Sequence, residues 1–156
     1  MFLLQENIMS DCMYCDQDER LNALMYPVYT FDHACLYLYR ENTYPGRCIL
    51  VPERHVQYLT DLTDEERDAF SAVAMKAARA IEKAFHPTQI NYLFFGDSLP
   101  HLHLHIVPKY RNGADFGKLF RMMPENGHLM DDAECSKQAD RIRTELMREN
   151  PDERNI

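Results

Sequence analysis

The sequence predicts an α+β fold: an antiparallel β-sheet with a main helix packed on one face and a C-terminal helical extension. Three observations carry this. Runs at 28–39, 48–52, 89–95 and 100–108 have strand composition or strict alternation and are bounded by turn signals. A capping sequence at 63–66 opens about twenty residues with apolar positions at helical spacing. A further stretch at about 131–149 carries a weaker helical stripe. The length of 156 residues suits one domain with a real core. No repeat or low-complexity linker marks a boundary, so residues 1–156 are expected to form a single domain. Its core spans about 10–120 and its C-terminal extension about 121–156.

Hydrophobic residues make up 46% of the chain and aromatics 11%, a globular composition. The net charge of −8 argues against a broad nucleic-acid-binding or anionic-membrane surface. It leaves room for a small phosphate-binding cleft, which needs only local donors. The start, residues 1–9, is apolar but short and lacks a basic lead, so neither a signal peptide nor a membrane span is expected. Five cysteines, an odd count, favour a reducing cytoplasm over a disulfide framework.

Cys12-Met-Tyr-Cys15 comes first. A close cysteine pair is a redox dithiol, half of a zinc site, or chance. A redox pair normally opens a helix after a strand, and no strand precedes it; zinc needs two further ligands. Val28 to Tyr39 reads as one strand. Phe31, His33, Cys35, Tyr37 and Tyr39 share one face, and Thr30, Asp32, Ala34, Leu36 and Leu38 the other. His33 receives no role. Pro45-Gly46 punctuates the turn that follows. Cys48 to Pro52 returns, so residues 28–52 are expected to form a hairpin, with Cys35 and Cys48 acting as small apolar residues. Thr63-Asp-Glu-Glu66 caps the main helix, whose apolar positions are Phe70, Val73, Ala74, Ala77, Ala78, Ile81 and Phe85. His86-Pro87 stops it. Gln89 to Phe95 is a strand, and 96–100 a tight connection. After a loop at 111–117 a short helix is expected at Lys118 to Met123. The final helix follows, with Ala133, Ala139, Ile142 and Leu146 as its stripe.

The stretch Pro100-His-Leu-His-Leu-His-Ile-Val-Pro108 holds three of the seven histidines in the chain. On a strand His101, His103 and His105 share one face, while Leu102, Leu104 and Ile106 share the other. The apolar face can sit on a core and the imidazole face can line a cleft. Histidine can serve as a nucleophile near neutral pH because its pKa is close to 6.5. His103 is best placed, with a histidine on either side along the strand.

His-Leu-His-Leu-His-Ile-Val resembles the His-x-His-x-His-x-x signature of the histidine-triad (HIT) nucleotide hydrolases and transferases. Pro52-Glu-Arg-His55 and Asn112-Gly-Ala-Asp-Phe-Gly117 extend the resemblance in the right order, over about residues 10–120. It implies that His103 attacks the α-phosphorus of a nucleotide conjugate and forms a nucleotidyl-imidazole, which water or another acceptor then discharges. It also implies that the His101 carbonyl orients His103 and that His105 hydrogen-bonds a phosphate oxygen. Ser98 would contact phosphate or leaving group. Two departures stand out. Asp97 occupies a nucleotide-contacting position where relatives often carry Gln or Asn, and a carboxylate there repels phosphate unless protonated, turned away or paired. The ribose segment, which ends Gly-His in relatives, is shortened to 41–47 and ends Gly46-Arg47, with Asn42 as the ribose candidate.

A subset of HIT-like proteins holds a structural zinc. Its ligand positions fall here on Cys12, Cys15, His55 and His101; without zinc, His55 and His101 would join a hydrogen-bonded histidine cluster. No catalytic metal or organic cofactor is implied. The partner is a small nucleotide substrate, and two subunits pair in many relatives. Leaving-group choice would lie in 111–117 and the C-terminal tail. Two rival readings are a non-catalytic nucleotide-binding or adaptor protein on the same fold and a metallohydrolase using the His-x-His pair with His128, Asp131 or Glu134.

Overall fold

The computed structural model describes residues 11–149. The apolar start at 1–9 lies outside them. The described residues form α1 (Met13–Asp16), α2 (Glu19–Leu24), β1 (Met25–Thr30), β2 (Ala34–Tyr39) and β3 (Cys48–Pro52). A 3-10 turn at Leu59–Asp61 then leads into α3 (Asp64–Phe85), β4 (Gln89–Phe95), β5 (His103–Lys109) and α4 (Asp132–Glu149). The sheet is antiparallel throughout, in the order β1-β2-β3-β5-β4.

Alternation sorts the strand residues onto two faces. Leu36 and Leu38 of β2, Leu50 of β3, and Leu104 and Ile106 of β5 pack against α3 and α4 in the main core. Tyr37 and Tyr39, Ile49 and Val51 point the other way and are covered by Cys12, Met13, Tyr14 and Leu21. His103 and His105 belong to that second face: Ile49 is registered with His105, and Phe95 with His103. The expected division of the histidine strand into an apolar and an imidazole face is thus realised from His103 onward. His101 sits just before the strand begins.

The capping box forms as written: Glu66 N–H donates to the Thr63 hydroxyl, and Thr63 N–H to the Glu66 carboxylate. Residue His86 takes a left-handed conformation, φ 50°, at the C-cap. Ala74, Ala77, Ala78, Ala80 and Ala84 are all buried, which lets α3 lie close on the sheet. Gly46 has φ +83° and faces the Phe85 ring so closely that a Cβ would overlap it, so the turn before β3 requires glycine.

Four expectations need correction. The run 28–39 is two strands. Phe31 N–H donates to the Ala34 carbonyl at 2.8 Å and closes a turn through Asp32, so β1 pairs with β2 and β2 with β3. Asp32 was the available turn signal within a run too long for a typical strand. Next, α1 and α2 occupy a stretch read only as a cysteine motif; Asp18 caps α2 by accepting the Arg20 N–H. Residues 118–123 form no helix. Asp115 and Gly117 have positive φ, and two of the segment's carbonyls are held by buried cations: Lys118 by Lys109, Met122 by Arg47. Lastly, the α4 stripe is Cys135, Ala139, Ile142 and Leu146; Ala133 is exposed.

β1 is an edge strand with its edge closed. It carries Pro27 and a register shift between Pro27 and Tyr29. Arg143 of α4 donates to the Val28 carbonyl at 2.7 Å and the Pro27 carbonyl at 2.8 Å. At the opposite edge β4 leaves Tyr92 and Phe94 exposed. No described helix is long and apolar enough to cross a membrane.

Because Ile142 is fully buried in the main core, Ile142→Ala should lower unfolding free energy in urea by about 2–5 kcal/mol. A loss no larger than that of an exposed-site control such as Met147→Ala would show that α4 is not part of the core.

Candidate active site and metal centre

Entry into β5 is set by one bond: Leu102 N–H donates to the Val56 carbonyl at 2.6 Å. It places His101 over the end of β3, where its Nε2 donates to the Pro52 carbonyl at 2.8 Å. A carbonyl only accepts, so Nε2 carries the proton and Nδ1 the lone pair. That Nδ1 lies 3.3 Å from Cys12 Sγ and 3.5 Å from Cys15 Sγ. His55 Nδ1 lies 3.3 Å from Cys15 Sγ. One helical turn, α1, brings both cysteines to the same side.

The four ligand atoms lie within 4.8 Å of one another. In a tetrahedral zinc site with ordinary Zn–S and Zn–N lengths, neighbouring sulfur and nitrogen ligands are about 3.6 Å apart. The observed spacing fits one such ion, and two thiols with two imidazoles make a closed set. Cys12, Cys15, His55 and His101 can therefore hold a metal.

Next along the strand, His103 Nδ1 donates to the His101 carbonyl at 2.8 Å. The proton is fixed on Nδ1, and Nε2 is left with its lone pair. Burial lowers the His103 pKa below the ordinary imidazole value; the bond to His101 and the charge of Asp97 act in the opposite sense. Around it stand Tyr14, with its ring centroid 5.5 Å away, and Phe95 at 6.1 Å. Tyr14 lies equally close to His101, so the cysteine-bearing turn forms a wall of the His103 site.

His105 is enclosed by Phe95 and Phe120, at 5.0 and 5.5 Å between ring centroids. Arg47 Nη2 donates to its Nδ1 at 3.3 Å, and its buried Nε2 has no partner among the described residues. Burial first, then the charge of Arg47, lower the pKa of His105 to about 2. Arg47 is itself 1% exposed. It rests against the faces of Tyr39 and Phe120 and donates to the Met122 carbonyl at 2.9 Å.

The other expected residues divide. Ser98 and Asp97 lie exposed in the connection between β4 and β5; the Asp97 carboxylate accepts the Ser98 N–H at 2.9 Å. Asn42 is directed elsewhere. Its side-chain carbonyl accepts from Gln138 of α4 at 3.1 Å, and its N–H donates to the His128 carbonyl. Among the described residues no contact joins Asn42 to the triad. A cavity of about 760 Å3 lies between the 31–33 turn, the end of β3 and α3, and none of the expected site residues lines it. Sequence reasoning missed Arg47, Tyr14 and Phe120. Arg47 alone had a signal, standing where the resembled pattern has the histidine of Gly-His.

A neutral imidazole with a free Nε2 thus stands beside a second neutral imidazole and a Cys2His2 cluster that can hold a metal, all on one antiparallel sheet. The HIT domain family model matches residues 25–112, and the chain belongs to that family. It is 39% identical over 90 residues to an AP-4-A phosphorylase of Mycobacterium tuberculosis, a match covering 54% of this chain and 45% of that one. A histidine triad protein of Sinorhizobium meliloti superposes with TM-score 0.75 at 22% identity, over 82% of this chain and 94% of that one. A zinc-bound histidine triad family protein of Mycobacterium smegmatis gives TM-score 0.65 at 20% identity, over 90% and 96%.

His105 links the site to pH. Burial holds it neutral in the folded chain, while the unfolded chain takes up a proton near pH 6.5. The unfolded state binds more protons below that pH, so stability is full above it and falls as pH drops. Between pH 6 and 4, His105→Asn should flatten the slope of unfolding free energy by about 1.4 kcal/mol per pH unit. Parallel slopes for wild type and variant, measured in urea at matched metal content, would contradict the burial of a neutral imidazole.

Proposed function

We propose that this protein is a nucleotide hydrolase or nucleotidyl transferase acting at the α-phosphate of a nucleotide conjugate. Dinucleoside polyphosphates and nucleoside phosphoramidates are the substrate classes. The observation that carries the reading is the bond from His103 Nδ1 to the His101 carbonyl, which leaves Nε2 free as a nucleophile. Nε2 attacks the α-phosphorus, and the bond from phosphorus to the leaving group breaks with its electron pair on the leaving group. The product is a nucleotidyl group on His103. Water attacks the same phosphorus in the second step, the N–P bond breaks, and His103 returns to its neutral state.

His105 meets a non-bridging phosphate oxygen, where negative charge grows in the transition state. Ser98 meets the phosphate or the leaving group. Asp97 is drawn toward the Ser98 N–H, which offsets part of its repulsion of phosphate. Asn42 remains part of the proposal as a ribose contact only if its bond to Gln138 opens on binding. The match to an AP-4-A phosphorylase supports the phosphoanhydride class. The metallohydrolase alternative is disfavoured because a guanidinium occupies the Nδ1 side of His105, where a second cation would be repelled.

Zinc is the proposed occupant of Cys12, Cys15, His55 and His101, supported by the thiol–imidazole donor set and by the zinc-bound relative. When bound it supplies a crosslink; the chemistry stays with the histidines. Pairing of two copies and a cytoplasmic location belong to the same proposal.

Intact-protein mass spectrometry after brief, quenched incubation with a dinucleoside tetraphosphate or an adenosine phosphoramidate should show a nucleotidyl adduct on wild type and none on His103→Ala. An adduct on both proteins, or turnover retained in the variant, would remove His103 from its role. Absence of adduct and of turnover on wild type would instead favour the non-catalytic binding protein. Metal analysis should find one zinc per chain in wild type and a deficit in Cys12→Ala, with a lower melting temperature for the variant. Equal zinc content and equal melting would remove the zinc assignment.

A further inference from the structure

Arg47 is a buried cation with no carboxylate in ion-pair contact. Among the described residues no carboxylate forms an ion pair with it. Glu41, itself buried, acts on it only through space: its Oε1 accepts from the Thr43 N–H and hydroxyl, and its Oε2 has no partner among the described residues. Taking a guanidinium out of water without a counter-ion is costly. Here the charge is spread over the faces of Tyr39 and Phe120, at 3.9 and 4.8 Å, and over the Met122 carbonyl. Its Nε finds no partner. A purely structural residue at this position could be apolar at lower cost.

What the arginine does contact is Nδ1 of His105. A guanidinium has five donors and no acceptor. Nδ1 must therefore accept, and the single proton of a neutral His105 must sit on Nε2. We infer that Arg47 is a positioning residue: it fixes His105 as the Nε2–H tautomer, so that a buried, unpartnered N–H is aimed at the phosphate. The two histidines thereby take opposite tautomers. The His101 carbonyl selects Nδ1–H on His103 and makes it a nucleophile; Arg47 selects Nε2–H on His105 and makes it a donor. A protonated His105 would also donate, but Arg47 disfavours a second positive charge at this distance. The neutral donor is thus present without any proton uptake.

The role assigned to the donor rests on the reading of the site as a nucleotidyl-transfer centre; the tautomer does not. The test is accordingly made without substrate. Long-range 1H–15N correlation spectra of ring-15N-histidine protein, with His105 assigned by comparison with His105→Asn, report the tautomer of each imidazole. Wild type and Arg47→Lys, which keeps a charged donor, should show His105 as Nε2–H. Arg47→Met should populate Nδ1–H, and its kcat should fall by about 100-fold, the usual loss for one missing oxyanion donor, with a smaller change in KM. An Nδ1–H His105 in wild type overturns the inference, whatever the variants do. So does a folded Arg47→Met whose His105 stays Nε2–H. A protein that forms no nucleotidyl adduct yet shows these spectra keeps the tautomer lock and loses only the reaction.

Discussion

β5 is buried along its whole length, yet it carries two imidazoles and an ammonium. Most of the local architecture follows from that conflict. A buried polar group without a partner costs about 1–3 kcal/mol, so each must find one inside the protein. His103 finds the carbonyl of His101, His105 finds Arg47, and Lys109 finds the carbonyls of Asp115 and Lys118. The alternate residues Leu104 and Ile106 anchor the same strand to the helices on the other face. Among the described residues the buried side-chain polar atoms left without a partner are then few: Tyr14 Oη, Glu41 Oε2, Arg47 Nε and His105 Nε2.

The chain is acidic overall, yet two cations, Arg47 and Lys109, are buried beside or on the histidine strand. Arg47 and Lys109 both hold main-chain carbonyls of one irregular segment, 115–122. That segment delivers Phe120 to the face of His105. A helix over 118–123 would have drawn the Lys118 carbonyl into its own ladder and away from Lys109.

Legibility in the sequence tracked how local the determinants are. α3 was readable because its cap, its stripe and its stop lie within its own residues. The imidazole face of β5 was readable because side-chain alternation needs no partner strand. The metal cluster needed the resemblance, since 40 to 89 residues separate its paired ligands along the chain. Arg47 had only a positional signal, standing where the resembled pattern has histidine; nothing near it in sequence says that it turns inward between two aromatic rings. The Phe31–His33 turn lacks Gly and Pro, which left Asp32 and the length of the run as its signals. The same distance effect hid the partner of Asn42, Gln138, which lies 96 positions away.

The two edges of the sheet are unlike. On β1, a proline, a register shift and the Arg143 side chain occupy the outward carbonyls. On β4 the outward edge is a regular seven-residue strand with two exposed aromatics. Among the described residues the two edges therefore differ in how far their outward backbone is occupied, and the β4 edge lies one strand away from the histidines.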